Sequence, residues 1–122
     1  MAVHLDLGRK GESPAKTFLE GLGYQILDEN WTHGKAEIDL IAYKDKVIIF
    51  AEVKTRTGNA FGGTEDFVDN RKQKLLAEAA DEYIYLMDHQ GDVRFDIVSI
   101  LFDKNANYTL KHIEDAFWPS AD

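Results

Sequence analysis

The sequence contains no cysteine, which excludes disulfide bonds and zinc sites built from thiolates. Its two prolines, Pro14 and Pro119, lie near the ends, so the middle of the chain is free to form continuous secondary structure. No apolar run approaches the roughly 20 residues that a membrane-spanning helix needs. Residues 1–10 also lack the apolar region of a secretory signal. These absences predict a cytoplasmic protein without a membrane partner.

The chain also lacks a basic balance, because 22 acidic residues outnumber 14 lysines and arginines and give a net charge of -8. Nucleic-acid-binding proteins usually carry a basic surface, so this balance weakens the case for a nucleic-acid partner. The charge is unevenly distributed, however, and a local basic surface is compatible with the sequence. Between residues 54 and 74 the cations are Lys54, Arg56, Arg71, Lys72 and Lys74. Long-range attraction of DNA should still be weak.

The length of 122 residues and the hydrophobic content of 44% are typical of one globular domain, so we expect a single domain over residues 1–122. Apolar residues at helical spacing predict a first helix over residues 9–21. Pro14 is expected near its first turn, because a proline deeper in the helix removes a hydrogen bond. A second helix is predicted over residues 67–87, with Met87 on its buried face.

Apolar patterns of period two predict five strands, over residues 24–31, 36–43, 47–54, 93–102 and 108–112, with a loop over residues 55–64. Residues 47–51 of the third strand are apolar on both faces, which is typical of a central strand covered on both sides. The order of one helix, three strands, one helix and two strands predicts an α/β fold. Its mixed central sheet should be flanked by helices.

Charged side chains interrupt two of these apolar strands. Asp39 lies in the apolar run of the second strand, and Glu52 and Lys54 share one face at the end of the third. If the two strands form a hairpin around residues 44–46, Asp39 and Glu52 come within reach of each other. Two buried carboxylates repel each other unless a positive charge lies between them. The pattern therefore predicts a cation beside this pair.

Two kinds of cation fit the pair. From the residues alone, a structural ion-pair network at the end of the sheet is the commoner explanation. The other explanation is a metal site, in which the carboxylate oxygens bind a hard divalent cation that activates water for phosphodiester hydrolysis. In such a site Lys54 would hold the attacking water or neutralise charge on the phosphate.

A wider pattern resembles a known family. Asp39, a gap of twelve residues and the run Glu52-Val53-Lys54 resemble the PD-(D/E)XK signature of the restriction-endonuclease-like superfamily. Further segments resemble the bacterial YraN-like family over nearly the whole chain, and these are residues 7–12, 23–27, 30–31, 37–41, 50–56, 94–96 and 116–117. That family is similar in its core to archaeal Holliday junction resolvases.

The resemblance implies a restriction-endonuclease-like αβββαβ core and a metal-dependent nuclease that acts on DNA rather than RNA, including branched or structured DNA. It implies catalytic roles for Asp39, Glu52 and Lys54. It also implies a site for Mg²⁺ or Mn²⁺ made by Asp39, Glu52, the Val53 carbonyl and Glu12 of the first helix. Action on a four-way junction needs two sites and hence a homodimer.

Four cations are candidates for nucleic-acid binding. Arg56 is expected to contact phosphate. Arg71, Lys72 and Lys74 lie at the start of the second helix, where the helix dipole disfavours cations, and this indicates an anionic partner. A plain exposed face is the commoner interpretation of those three residues.

Two alternatives to a nuclease stay open at this point. A non-catalytic nucleic-acid-binding or assembly module would keep the same fold, and the acidic balance of the chain favours it. A small-molecule phosphodiesterase would need a closed pocket, of which the sequence gives no sign.

Overall fold

The computed structural model describes residues 7–58 and 68–118, with side chains from residue 14 onward. Its helices and strands are, in chain order, α1 Leu7–Gly21, β1 Gln25–His33, β2 Ala36–Lys44, β3 Val47–Thr57, α2 Asn70–Met87, β4 Asp92–Phe102 and β5 Tyr108–Ile113. This order confirms the predicted α/β fold with an αβββαβ core and one further strand. A helix that could cross a bilayer is not found among the described residues.

The five strands form one mixed sheet in the spatial order β1-β2-β3-β4-β5. β1, β2 and β3 form an antiparallel meander, β4 lies parallel to β3, and β5 returns antiparallel beside β4. A parallel neighbour requires a crossover connection, and α2 supplies it between β3 and β4. β3 is therefore the middle strand of the sheet, with a partner on each side.

A two-residue turn at Asp45 and Lys46 joins β2 to β3, which confirms the predicted hairpin. Both residues have positive φ, 52° for Asp45 and 68° for Lys46. Positive φ at both central positions belongs to a type I′ turn, whose twist matches that of the paired strands. The turn fixes the register of the hairpin, which starts at Lys44↔Val47 and ends at Leu40↔Ala51.

Each face of the sheet is covered by one helix. α1 contributes Ala15 and Leu19 to the apolar cluster on one face, and α2 contributes Leu76, Ala80 and Tyr83 to the cluster on the other. Alternate residues of β3 point to opposite faces, so the strand belongs to both clusters. Ile48 and Phe50 pack beneath α2, and Ile49 and Ala51 pack beneath α1. This arrangement confirms that β3 is a central strand.

Pro14 does not lie near the first turn of α1, as the sequence led us to expect, but is its eighth residue. A proline there lacks the N–H that would bond to the preceding turn, at a cost of about 3 kcal/mol. The next residue, Ala15, and Leu19 one turn later are fully buried against the sheet. Their packing offsets the cost of the proline.

The predicted loop over residues 55–64 is wrong at its start, because β3 continues to Thr57. β4 pairs with β3 as far as Thr57↔Phe102, and this distant partner extends the strand. Gly58 follows as a bend with φ of 146°. Residues 59–64 lie outside the described residues.

The second helix begins at Asn70, later than predicted. The Asp69 carboxylate caps it by accepting a hydrogen bond from the Lys72 N–H at 2.9 Å. Residue 67, the predicted start, lies outside the described part of the chain. Met87 is 49% exposed, which corrects its expected place in the buried face. The helix ends at this residue, and Asp88 follows it in the left-handed conformation.

A buried carboxylate links β4 to the segments around it. Asp96 is fully buried, and it accepts hydrogen bonds from Arg94 Nε and Nη2, both at 2.8 Å, and from the Asp115 N–H at 3.0 Å. His112 Nε2 lies 2.8 Å from Asp96 Oδ2. Arg94 also donates to the Tyr24 hydroxyl at 2.7 Å. This group, the Asp96 network, ties β4 to β5, to the turn after β5 and to the start of β1.

The Asp96 network controls the ionisation of its central carboxylate. Burial by itself would raise the pKa of Asp96, because it penalises the charged form. The hydrogen bonds from Arg94, His112 and the Asp115 N–H favour the carboxylate more strongly and hold its pKa below the usual 3.8. A pKa lowered by folding stabilises the fold above the unfolded-state pKa. That contribution is lost as the pH falls toward the folded-state pKa.

We predict that Asp96→Asn lowers the free energy of unfolding by about 3 kcal/mol at neutral pH, because it leaves the Arg94 guanidinium without its counter-charge. The native chain should also lose stability below about pH 5, whereas the variant should lose less over the same interval. Urea denaturation at a series of pH values measures both effects.

Asp92→Asn is the matched control, since it removes the same charge from the exposed first residue of β4. This variant should keep the stability of the native chain at neutral pH. An equal loss in both variants would mean that net charge, and not the Asp96 network, accounts for the effect.

Candidate functional site

β2 and β3 separate where the candidate residues lie. Their pairing ends at Leu40↔Ala51. Beyond this pair, residues 36–38 of β2 remain paired with β1, and residues 52–57 of β3 remain paired with β4. We define the gap between these two segments as the fork. Asp39 and Glu52 are the first residues beyond the last pair, so both lie at the base of the fork.

Asp39 spans the base of the fork with its side chain. Asp39 Oδ2 accepts a hydrogen bond from the Val53 N–H at 2.7 Å, in the position where a backbone carbonyl of β2 would continue the ladder. The N–H and C=O groups of one strand residue point to the same side. The Val53 carbonyl therefore also faces the fork, next to the carboxylate of Asp39.

A local distortion of β2 allows this contact. Ile38 and Ile41 both pack in the cluster beneath α2, although strict alternation would place them on opposite faces. The strand therefore changes its orientation between these two residues, where Asp39 lies. On the neighbouring strand, Asn30 has a positive φ of 52°. The distortion directs the Asp39 side chain across the gap, toward the backbone of β3.

Glu52 is buried on the α2 side of the sheet and pairs with a lysine. Its side chain is 8% exposed, and Lys72 Nζ lies 2.9 Å from its Oε1 and 3.0 Å from its Oε2. Oε1 is held by charge alone, because it has no hydrogen bond of regular geometry. Lys72 belongs to the first turn of α2. The ion pair thus anchors the start of α2 to the middle of β3.

The structure describes the side chain of Lys54 but only the backbone of Glu12, the other two predicted site residues. Lys54 is half-buried and shares the face of Glu52 by alternation. Among the residues whose side chains the structure describes, Lys54 has no hydrogen bond or ion pair. Glu12 lies within α1, but its side chain is outside the described part. Its approach to a metal stays a prediction.

The candidate nucleic-acid-binding residues lie at two places. Arg56 is half-buried near the carboxyl end of β3, and Arg71, Lys72 and Lys74 are exposed at the start of α2. Sequence reasoning assigned Lys72 to phosphate binding and missed its contact with Glu52. The sequence carried no signal for this contact, because Lys72 lies 20 residues after Glu52 in the chain.

The hydrogen-bond acceptors around the fork are oxygen atoms, which are the ligands that a hard divalent cation prefers. They comprise the carboxylates of Asp39 and Glu52 and the Val53 carbonyl. The buried Oε1 of Glu52 accepts no hydrogen bond, and a bound ion would take the place of that missing contact. Within the described side chains, no group of three or more histidines and acids could hold a metal ion.

Comparison with known proteins gives consistent matches. Residues 11–100 match the model of the Uncharacterised protein family UPF0102. A UPF0102 protein of Flavobacterium psychrophilum is 43% identical over 118 residues, which cover 97% of this chain and 98% of that protein. UPF0102 proteins of Bacteroides thetaiotaomicron and Flavobacterium johnsoniae are 40% and 42% identical to this chain. The matched regions cover 98% and 97% of this chain, respectively, and 98% of each relative. The similarity thus extends over all the candidate residues.

We predict that Asp39→Ala accelerates hydrogen exchange of the Val53 amide roughly 10- to 100-fold, because a hydrogen bond to a charged acceptor contributes about 1.5–3 kcal/mol. Asp39→Asn should have a smaller effect, since its amide oxygen can still accept the bond. Exchange measured by NMR tests this. The Ala51 amide, in the paired part of the hairpin, is the internal control and should be unaffected. Unchanged exchange at Val53 would contradict the hydrogen bond across the fork.

Proposed function

This chain belongs to the UPF0102 family, and from the geometry of its fork we propose that it is a metal-dependent nuclease that hydrolyses phosphodiester bonds in DNA. The observation that carries the proposal is the fork itself. There β2 and β3 part, and Asp39, Glu52 and the Val53 carbonyl offer oxygen atoms at the point where the central strand leaves β2. Such a concentration of acceptors is costly unless a cation neutralises it.

In the proposed site, Asp39, Glu52, the Val53 carbonyl and Glu12 would hold Mg²⁺ or Mn²⁺. When bound, the ion polarises a phosphoryl oxygen and lowers the pKa of a bound water. Asp39 is already oriented by the Val53 N–H, so one of its oxygens is fixed before any ion binds. Glu52 is buried beside it on the neighbouring strand. The hydrogen bond to Asp39 and the burial of Glu52 support the ligand roles proposed for these two carboxylates.

Lys54 would supply the remaining charge. Lys54 is half-buried and has no hydrogen bond or ion pair with the described side chains, and we propose that its ammonium donates to the attacking water or to a phosphate oxygen. A fixed cation aimed at the charge that develops in the transition state is a large contributor to catalysis. We therefore assign Lys54 the electrostatic role in the reaction.

The substrate would be held by local contacts. Arg56 on β3 and Arg71, Lys72 and Lys74 on α2 lie on the two elements that meet at the Glu52–Lys72 ion pair, and these cations would contact backbone phosphates. The net charge of -8 makes long-range steering weak, so close contacts must provide the affinity. Branched or otherwise structured DNA is the proposed substrate. Cleavage of a four-way junction would involve a homodimer.

One observation favours a second candidate. Lys72 already neutralises Glu52, so the carboxylate needs no metal to be stable. A non-catalytic nucleic-acid-binding or assembly module with this fold is therefore the alternative. It differs from the nuclease in that neither metal ions nor the Asp39 and Glu52 carboxylates should affect its binding.

We predict that the purified chain cleaves labelled duplex, flap or four-way-junction DNA in the presence of Mg²⁺ or Mn²⁺. Asp39→Asn and Glu52→Gln should each lower the cleavage rate at least about 100-fold, because each removes a charged ligand. Lys54→Ala should lower it roughly 100-fold while leaving metal binding in place. Gel-based cleavage and calorimetric metal titration provide the two measurements.

Asp45→Asn is the control for these variants, since it removes one carboxylate at the far end of the same hairpin. Asp45 lies in a turn with positive φ, a conformation that asparagine tolerates. This variant should cleave at the native rate. DNA binding that needs no metal and persists in Glu52→Gln, with no cleavage of any substrate, would decide for the binding module.

A further inference from the structure

Lys72 reaches a buried carboxylate from an exposed position. Its ammonium lies within 3.0 Å of both oxygens of Glu52. The Glu52 side chain is 8% exposed, whereas that of Lys72 is 46% exposed. A lysine ammonium is carried on a flexible four-carbon chain. Lys72 can therefore leave Glu52 for solvent without any rearrangement of the core.

Glu52 depends on this lysine for its charge balance. Removing one partner of a buried ion pair is costly, because the remaining charge is left uncompensated. Lys54 shares the face of Glu52 but does not pair with it in the described structure. The Val53 N–H is taken by Asp39. Lys72 is thus the cation that balances Glu52 while no metal ion is bound.

A divalent cation on Glu52 would change this balance. Two cations at about 3 Å from the same carboxylate repel each other strongly at a buried site. The doubly charged ion also attracts the carboxylate more strongly than an ammonium does. Lys72, whose route to solvent is open, is the partner that can move.

We propose that Lys72 is an exchangeable counter-ion of the metal site: its ammonium holds Glu52 in the metal-free protein, and a divalent cation displaces it. The proposal rests on the proposed function, because it requires a metal at Glu52. Displacement releases the ammonium at the exposed start of α2, beside Arg71 and Lys74. Metal loading thereby adds a free cation for a phosphate at the moment the site becomes competent.

The test is a calorimetric titration of Mg²⁺ and Mn²⁺ into the native chain, Lys72→Gln and Lys74→Gln. Lys72→Gln should bind metal at least about tenfold more tightly, because the ion no longer competes with an internal cation. Lys74→Gln is the matched control. It removes the same charge two residues away on the same exposed helix end, where the described structure gives it no ion pair. Its metal affinity should equal that of the native chain.

Thermal unfolding supplies a readout that is independent of activity. Without metal, Lys72→Gln should unfold at a lower temperature than the native chain, because Glu52 has lost its counter-charge. At saturating metal the two unfolding temperatures should converge, since the ion then stabilises both proteins. In a Glu52→Gln background, Lys72→Gln should have no further effect on unfolding.

A third measurement uses the native chain alone. In NMR spectra of ¹³C-lysine-labelled protein, metal addition should shift the side-chain resonances of Lys72 and leave those of Lys74 in place. This arm stands even if a variant folds poorly, and absence of a shift in a metal-bound chain would overturn the exchange.

The outcomes separate the two proposals. Tighter binding by Lys72→Gln, with unfolding temperatures that converge, supports the exchange. Equal or weaker binding by Lys72→Gln, in a series where the native chain binds metal, overturns the exchange and leaves the nuclease proposal intact. Absence of metal binding by both proteins overturns the exchange together with the metal-dependent reaction.

Discussion

The first five residues of β3 are apolar on both faces, and such a strand is stable only where a layer covers each face. α1 and α2 supply these layers, and β2 and β4 satisfy its backbone on the two edges. The turn at Asp45 and Lys46 places β2 beside β3, and α2 lies in the connection that leads from β3 to β4. The burial of one strand thus accounts for most of the architecture.

The same strand changes from apolar to charged residues near its middle. Its apolar part stops at Ala51, where the pairing with β2 also stops. Charged residues begin at the next position, and two contacts keep them in place: Asp39 with the Val53 N–H, and Lys72 with Glu52. A fork in a sheet exposes backbone groups that a regular ladder would pair. Here the Asp39 carboxylate pairs one of those groups, the Val53 N–H, across the gap.

Local pattern was sufficient to predict much of this fold. Alternation and apolar runs located all five strands, and the double-sided run of residues 47–51 identified the central one. Effects of residues that are distant in the chain could not be predicted in this way. The extension of β3 to Thr57 depends on pairing with Phe102 of β4, which lies 45 residues later in the chain. The position of Pro14 in the middle of α1 depends on the packing of its neighbours against the sheet.

The candidate site divides along the same line. Asp39 and Glu52 could be placed at the end of one hairpin from sequence, since the turn fixes which residues face each other. The prediction of a chemical role for these two residues depended on the resemblance to a nuclease family. Predicting the Glu52–Lys72 pair would have required the position of α2 relative to β3. Predicting the burial of Asp96 would have required its contacts with His112 and Asp115, which lie later in the chain. From its sequence alone, Arg94-Phe95-Asp96 is typical of a strand with one apolar face and one exposed, charged face.

The Asp96 network and the Glu52–Lys72 ion pair lie on opposite faces of one sheet. Asp96 and Arg94 alternate with Phe95 and share the α1 side with Val98, whereas Glu52 lies on the α2 side with Lys72. A layer of strands separates these two groups of charged side chains. Substitutions at distant, independent sites are close to additive. Changes at the fork and changes in the Asp96 network should therefore alter the free energy of unfolding independently of each other.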